Sequence, residues 1–508
     1  MKYYLGLDNG SSSVKAALYD ECGKELFVSK CETETVVPKP GWCERDMETL
    51  WEANCRVIRE LIRSTGISPE QIAAVSGCGH GKGLYLWGDG KPVYPGILSS
   101  DRRALPYVEM WKMDGRADFI FDRTLQKVQP CHPVALLAWI RDNEPELISD
   151  VKYIFTCKDY IRYRLTGKAY GDVTECCGWG VMDSRTLQYD EELISSLNLS
   201  MFRNSLPEIA KPGQFCGSVT EEAAARTGLA AGTPVAAGMF DIGACAIAAN
   251  AVSDKHLCMI AGTWSVNEYV RMGPVLDGSV SMNTVFDDKG HYLIEESSPT
   301  SSSNCQWYVK NILSWLPSGH NEPEGSVYHT MDEWVKETEQ SVLSPVFLPF
   351  IYGGNDCPDA QAGFLGLNAM HDIRHLTRSL YEGVVFGHRW HMERLLKSHS
   401  GEVKEIHLAG GAAKSKVWVQ MFADICGYPV RVCQADEPGA LGCAILGAVA
   451  SGGYPDLNSA ILSMAHLSEP VYPREDMRDG YEIKYRLYRK TQETLNNLWK
   501  EYAGSFVS

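Results

Sequence analysis

Two short segments about half a chain apart constrain this sequence more than any other feature. They are Tyr3-Tyr4-Leu5-Gly6-Leu7-Asp8-Asn9-Gly10-Ser11-Ser12-Ser13-Val14-Lys15 and His256-Leu257-Cys258-Met259-Ile260-Ala261-Gly262-Thr263-Trp264-Ser265. In each, an apolar strand-like run reaches a Gly/Ser/Thr turn and leaves along a second strand-like run, so backbone N–H groups and hydroxyls can converge on an anion. Two such turns point to a phosphate held between two halves of a duplicated fold. A P-loop or dinucleotide-binding turn would need its glycine pattern to open a helix, and neither spacing occurs.

At 508 residues the chain exceeds what one core usually supports, so two domains of roughly 250 residues are expected. Lys+Arg of 48 against Asp+Glu of 64 gives a formal charge of −16, a field that repels nucleic acid and anionic membrane surfaces. The 17 cysteines contain no C-x-x-C pair, so neither a zinc nor a redox motif is suggested, and a reduced cytoplasm fits best. Met1-Lys2-Tyr3-Tyr4 lacks the features of a secretory signal. The most membrane-like stretch, Pro234 to Val252, carries Asp241 at its middle and reads as a buried turn and helix.

After an opening hairpin, Tyr3 to Cys31, the apolar positions Leu50, Trp51, Val57, Ile58, Leu61 and Ile62 predict a helix over Asp46 to Ser64. Ile72 to Cys78 reads as a strand and Gly79-His80-Gly81-Lys82-Gly83 as a tight turn that a ligand could approach closely. The second half restarts at Leu257 and continues through a strand at Lys404 to Leu408, the pair Gly410-Gly411, and a helix from Ser415 to Cys426. The polar stretch Gly319 to Glu337 is expected as a surface excursion. A seam near Asn250 to Lys255 divides the chain into domains 1–252 and 253–508.

Six ordered motifs carry a resemblance. Asp8-x-Gly10-x-Ser12-x-x-Lys15, Gly238-Met239-Phe240-Asp241, Gly262-Thr263, Gly363-Phe364-x-Gly366-Leu367 running to Tyr381-Glu382-Gly383, Ala409-Gly410-Gly411-Ala412-x-x-Ser415-x-x-Trp418-x-Gln420-x-x-Ala423-Asp424, and Glu437-x-x-Ala440-x-Gly442 resemble, in that order, the FGGY carbohydrate kinases. The resemblance spans nearly the whole chain. It implies an α/β fold of two actin-like, ribonuclease-H-like domains with ATP and a sugar in the cleft between them, and a capacity to form a homodimer.

Gly79-x-Gly81-Lys82-Gly83-Leu84, Ile97-Leu98-Ser99-Ser100-Asp101-Arg102-Arg103-Ala104, Ser298-Pro299-Thr300-Ser301-Ser302 and Phe347-Leu348-Pro349-Phe350-x-Tyr352-Gly353 most resemble the L-xylulose/3-keto-L-gulonate kinase branch. Xylulose kinases commonly show Gln-Met-His-Gly where this chain has Cys78-Gly79-His80-Gly81. That departure disfavours D-xylulose and leaves the role of His80 open.

Phosphoryl transfer needs an in-line hydroxyl, charge neutralisation on the phosphate and an acceptor for the hydroxyl proton. Asp241, in a Gly-flanked turn after a buried strand, suits the last role. The residues alone leave it balanced between that role and capping a helix from Ile242; the resemblance implies the catalytic one. Asp8 beside Gly10, Ser11 and Ser12 would repel phosphate unless Mg²⁺ stood between them, so it is the proposed metal residue, against an Asx-turn alternative.

The phosphate and nucleotide contacts are assigned to Gly10, Ser11, Ser12, Ser13, Lys15, Gly262, Thr263, Gly410, Gly411, Ala412 and Ser415. Lys15 either reaches the phosphates or is a solvated strand residue, and Ser415 either touches nucleotide or caps the helix after it. For the sugar, Asp101 with Arg102 or Arg103 offers acceptor and donor together. Lys82 and His132 are additional candidates, the first for a hydroxyl or a carboxylate.

The leading expectation is ATP-dependent phosphorylation of L-xylulose or 3-keto-L-gulonate. Kinases of D-xylulose, ribulose, gluconate or glycerol are alternatives, followed by a non-catalytic actin-like nucleotide switch, which would need neither Asp241 nor a sugar wall.

Overall fold

The computed structural model describes residues 1–315, 324–338, 344–354 and 356–504. They fall into two compact units: Met1–Val252, Val270–Ile294 and Ala435–His466 form one, and Ser253–Tyr269, Glu295–Gln434 and Leu467–Ser508 the other.

The first unit is built on a six-stranded sheet with the order Phe215–Ser218, Pro234–Ala236, Ile72–Gly79, Tyr3–Asn9, Ser13–Asp20, Glu25–Glu32. Tyr3–Asn9 runs parallel to Ile72–Gly79, which in turn runs parallel to Pro234–Ala236. The hairpin partners Ser13–Asp20 and Glu25–Glu32 are antiparallel. The three parallel strands therefore end at one edge, where Asp8, the Gly79–Gly83 turn and Asp241 all arise. Open α/β sheets place ligands beyond that edge.

The helix expected after the hairpin spans Met47–Thr65. Asp46 caps it, accepting from the Thr49 N–H at 2.6 Å, and Gly66 closes it at φ 65°. Leu50, Trp51, Val57, Ile58 and Leu61 are buried on one face, at the spacing a 3.6-residue repeat requires.

A second helix, Pro438–Ala450, comes from far along the chain and covers the same sheet. Its approach demands glycine: a Cβ on Gly6 would lie 1.9 Å from the Ala440 carbonyl oxygen, and one on Gly442 2.0 Å from that of Ala244.

In the second unit, His256–Ala261, Glu405–Ala409 and Val430–Val432 run parallel, and the strand beginning at Ser265 pairs antiparallel with the first. The turns Gly262-Thr263 and Gly410-Gly411 follow the first two strands. A Cβ at Gly410, φ 90°, would stand 2.7 Å from the Ala261 carbonyl, so this turn rests directly on the other strand's end.

One expectation is corrected. Within the stretch Gly319 to Glu337, residues 319–323 lie outside the described residues, but Glu324–Glu337 is a helix rather than a surface excursion. Met331 and Val335 are buried and Val327 and Trp334 half-buried, so the apolar positions keep a helical period that the polar residues between them obscure. Among the described residues no helix is long and apolar enough to cross a membrane.

Candidate active site

In the first unit, carboxylates gather at the ends of the parallel strands. Asp241 is the first residue of the helix Asp241–Ala248, with Oδ1 accepting from the next N–H, that of Ile242, at 2.8 Å. Burial pushes its carboxyl well above the usual range, and Asp8 and Glu175 push it further in the same direction. Asp8 is raised too, by burial first, with Glu437 adding to it and Lys15 opposing. Lys15 bridges the acids: its Nζ lies 2.5 Å from Glu437 Oε2 and 3.9 Å from Asp8 Oδ2. It is thus neither a bare solvated lysine nor uncommitted. Glu437 belongs to a motif that the sequence singled out without giving it a role.

The turn Gly10–Ser12 is held from behind. Gly10 donates its N–H to the Ser13 carbonyl at 3.0 Å, and the buried Arg45 guanidinium donates to the carbonyls of Gly10 and Ser11. Ser11 and Ser12 are exposed and Ser13 is buried.

The Gly79–Gly83 turn packs against the Asp241 turn. A Cβ on Gly81 would meet the Phe240 ring at 2.3 Å, and one on Gly238, φ 80°, would meet the Gly77 carbonyl at 1.9 Å. Lys82 adopts φ 63°, a left-handed conformation that costs a non-glycine residue roughly 1–2 kcal/mol. Its N–H donates to Glu175 Oε1 at 2.7 Å, and its ammonium lies 4.4 Å above the Phe240 ring centroid. Burial raises the Glu175 carboxyl to about 7 against the pull of Lys158 and Lys82.

Among the described residues, three buried polar atoms around Lys82 have no hydrogen-bond partner: Glu175 Oε2, His132 Nε2 and Gln126 Oε1. A Cβ built on Gly178 would stand 3.2 Å from Gln126 Oε1 and 3.6 Å from Lys82 Cε, so both groups approach the same glycine. His132 is held neutral, its pKa lowered to about 3 by burial and by Lys82. Buried polar groups are ordinarily paired, so these atoms keep hydrogen-bonding capacity that a polar ligand could use. Sequence reasoning missed Glu175 and Gln126, because neither sits in a pattern that signals chemistry.

Asp101 is buried and bonded to Arg103, not Arg102: Arg103 Nε donates to Oδ1 at 3.0 Å and Nη2 to Oδ2 at 2.8 Å, with Glu44 as a further partner. Arg102 is exposed. The Asp101 side chain also accepts the N–H groups of Cys43 and Arg103, and this local turn decides which arginine faces inward. His80 is a satisfied core histidine, Nε2 3.1 Å from the Tyr85 hydroxyl and its pKa lowered to about 4 by burial.

In the second unit, Ser415 caps the helix Lys416–Cys426 by accepting the Trp418 N–H at 3.1 Å, and its hydroxyl donates to Asp332 Oδ1 at 2.7 Å. The Tyr381 hydroxyl donates to the same oxygen at 3.0 Å. Tyr381 stacks on Trp418 with ring centroids 4.2 Å apart. These residues line a cleft of about 580 Å³ together with Ser302, Gly411 and Lys414. Ala412 is buried beneath it, whereas Gly411 and Thr263 are exposed. Asp332 falls within the polar stretch Gly319 to Glu337, where nothing in the residue pattern points to a ligand.

Residues 3–248 match the N-terminal domain of the FGGY family of carbohydrate kinases, and residues 257–451 match its C-terminal domain. The chain belongs to this family. The L-xylulose/3-keto-L-gulonate kinase of Escherichia coli is 33% identical over 96% of each chain. A probable L-xylulose kinase of Haemophilus influenzae is 33% identical over 98% of this chain and 100% of its own. Among solved structures, a ligand-bound xylulose kinase from Lactobacillus acidophilus superposes with TM-score 0.87 at 24% identity, covering 99% of this chain and 100% of that one. A gluconate kinase of the same organism gives 0.86 at 24%, over 99% of each. The fold is the two-domain, actin-like α/β fold of FGGY kinases, and the chain is a sugar phosphotransferase that uses ATP.

Proposed function

We propose that this FGGY kinase phosphorylates a ketose, with L-xylulose as its substrate and 3-keto-L-gulonate as the acidic alternative. One observation carries the reading: the unpartnered atoms of Glu175, His132 and Gln126 around the Lys82 ammonium. Two acceptors, a neutral imidazole and an ammonium match a ligand of several hydroxyls and one carbonyl. Glu175 and Asp241 both interact electrostatically with Lys82, so when ionised they offset its charge without a substrate carboxylate. A neutral pentulose suits that balance better than a sugar acid. The names of the relatives from Escherichia coli and Haemophilus influenzae support the substrate class.

In this reading Asp241 accepts the proton of the attacking hydroxyl. Its raised pKa makes it a stronger base than an ordinary carboxylate once it is ionised, and brings it nearer to neutral pH. Asp8 carries Mg²⁺, directly or through water. The residues fit the ion, because two mutually destabilising carboxylates, both raised by burial, gain from a divalent cation. The ion neutralises phosphate charge when bound.

Domain 1–252 supplies the sugar wall (Lys82, Asp101, His132) and the first phosphate turn, Gly10–Ser13 with Lys15. Arg102, exposed beside Asp101, is a further candidate for the sugar. Domain 253–508 supplies the phosphate turn Gly262-Thr263 and, through Gly410–Ala412 and Ser415, the nucleotide cleft. There Asp332 is placed to accept a hydroxyl or an amine of the nucleoside.

The test is ADP release with L-xylulose, 3-keto-L-gulonate, D-xylulose, L-ribulose, gluconate and glycerol. L-Xylulose should give the highest kcat/KM. Preference for gluconate or glycerol would overturn the substrate assignment, and ADP release independent of any sugar would overturn the kinase reading itself.

A further inference from the structure

At the opposite ends of the two strands that deliver Gly262-Thr263 and Gly410-Gly411 lies a cluster with no part in phosphoryl transfer. His256 begins one strand and pairs in register with Glu405, which begins the other; His407 follows two residues later on the same face. The ligand atoms of the three side chains all lie within 4.8 Å of one another. His407 Nε2 is 3.0 Å from Glu405 Oε1, and His256 Nε2 is 4.0 Å from the same oxygen. The imidazoles stack with centroids 4.6 Å apart.

We propose that His256, Glu405 and His407 form a binding site for a transition-metal dication of the Zn²⁺ or Co²⁺ class. Metal–ligand bonds near 2.0–2.1 Å in a tetrahedron put donor atoms roughly 3.3–3.4 Å apart, between the two separations to Glu405 Oε1. Small side-chain rotations close the set around one ion, with water as the fourth ligand. Both imidazoles and a carboxylate suit borderline metals rather than Mg²⁺ or Ca²⁺.

The surroundings prepare the ligands. The Ser253 hydroxyl sits 3.3 Å from His256 Nδ1, orienting the ring so that Nε2 faces the cluster. Arg431 Nε donates to Glu405 Oε2 at 3.0 Å, leaving Oε1 toward the histidines. The charges of Lys404, Lys255 and Glu405 also act on His256. Side-chain exposures of 27% for His256 and 22% for Glu405 leave an entry path from solvent. Arg431, Lys255 and Lys404 disfavour a dication electrostatically, which sets the affinity below that of a closed structural zinc site. Bound metal would fasten the starts of two strands whose far ends carry phosphate and nucleotide turns.

The experiment titrates Co²⁺ into the full chain, stripped with chelator, and follows visible absorption and the melting temperature. The wild type should bind one Co²⁺ with tetrahedral d–d bands and no thiolate charge-transfer band, and should melt higher. His256→Gln and Glu405→Gln should each weaken this binding at least about tenfold while melting normally without metal. Should Glu405→Gln lower the metal-free melting temperature by stranding Arg431, the partly exposed His256→Gln decides alone. Equal Co²⁺ binding by wild type and His256→Gln, no d–d band, or only a cysteine charge-transfer band would overturn the proposal.

Discussion

At the residue scale, function and stability pull in opposite directions on the clustered carboxylates. An acid whose pKa is raised by folding keeps a proton that the unfolded chain releases, so its contribution to stability falls as pH rises from its ordinary value through its raised one. For Glu175 that window runs from the usual 4.5 to about 7. Glu175→Gln should therefore raise the melting temperature at pH 8 more than at pH 5, and calorimetry at both values checks it; an equal shift would show that burial does not raise this carboxyl. The same substitution should remove an inflection near pH 7 from the kcat/KM profile, because the ionised oxygen is the form that accepts a sugar hydroxyl. Lys82 separates the two candidate sugars. If its ammonium reads a carboxylate, Lys82→Met should lose about 2–5 kcal/mol of kcat/KM for 3-keto-L-gulonate and much less for L-xylulose. Equal losses would restrict Lys82 to hydroxyls.

At the element scale, a buried charge network fixes the turn that presents Asp241. Lys158 Nζ bonds Asp159 at 2.8 Å and Asp172 at 2.9 Å, and Arg162 donates to the Ala237 carbonyl at 2.6 Å. The Thr174 hydroxyl donates to Asp172 at 2.8 Å while accepting the Phe240 N–H at 2.9 Å, one residue before Asp241. Thr174→Val strands that N–H, so it should cost about 1–3 kcal/mol of stability and lower kcat more than it raises KM. Thr174→Ser should restore both; failure of the serine to rescue would assign the loss to packing. Elements with a strong period were legible in the sequence: the apolar stripe predicts the Met47–Thr65 helix almost to its ends, and the strands at Ile72 and Leu257 appear where expected. The helix Glu324–Glu337 keeps the same period at Val327, Met331, Trp334 and Val335, but its polar composition outweighs that signal. The inward turn of Arg103 rather than Arg102 and the orphaned oxygens of Glu175 and Gln126 arise from side-chain directions, which residue type and spacing do not encode.

At the scale of the whole molecule, the chain returns to its first unit after residue 434, and the returning helix Pro438–Ala450 covers the strands that carry Asp8 and Cys78 while delivering Glu437 to Lys15. The motif Glu437-x-x-Ala440-x-Gly442 was visible, but Glu437 and Ala440 meet Lys15 and Gly6 more than 400 residues earlier and Gly442 meets Ala244, and only the fold reveals these partners. Gly442→Val should destabilise the chain by about 1–3 kcal/mol or more, since its side chain meets a backbone carbonyl rather than a movable side chain; a melt within error of wild type would contradict that packing. The central claim concerns what the assembled site does: Asp241 takes the hydroxyl proton during transfer from ATP to a ketose. Single-turnover formation of sugar phosphate by Asp241→Asn, with nucleotide affinity measured on the same preparation, tests it most directly. The account predicts a rate reduced by about two orders of magnitude or more, near-unchanged nucleotide binding, and a melting temperature above that of wild type because a disfavoured buried charge is gone. Transfer at a near-normal rate in the folded variant would contradict it.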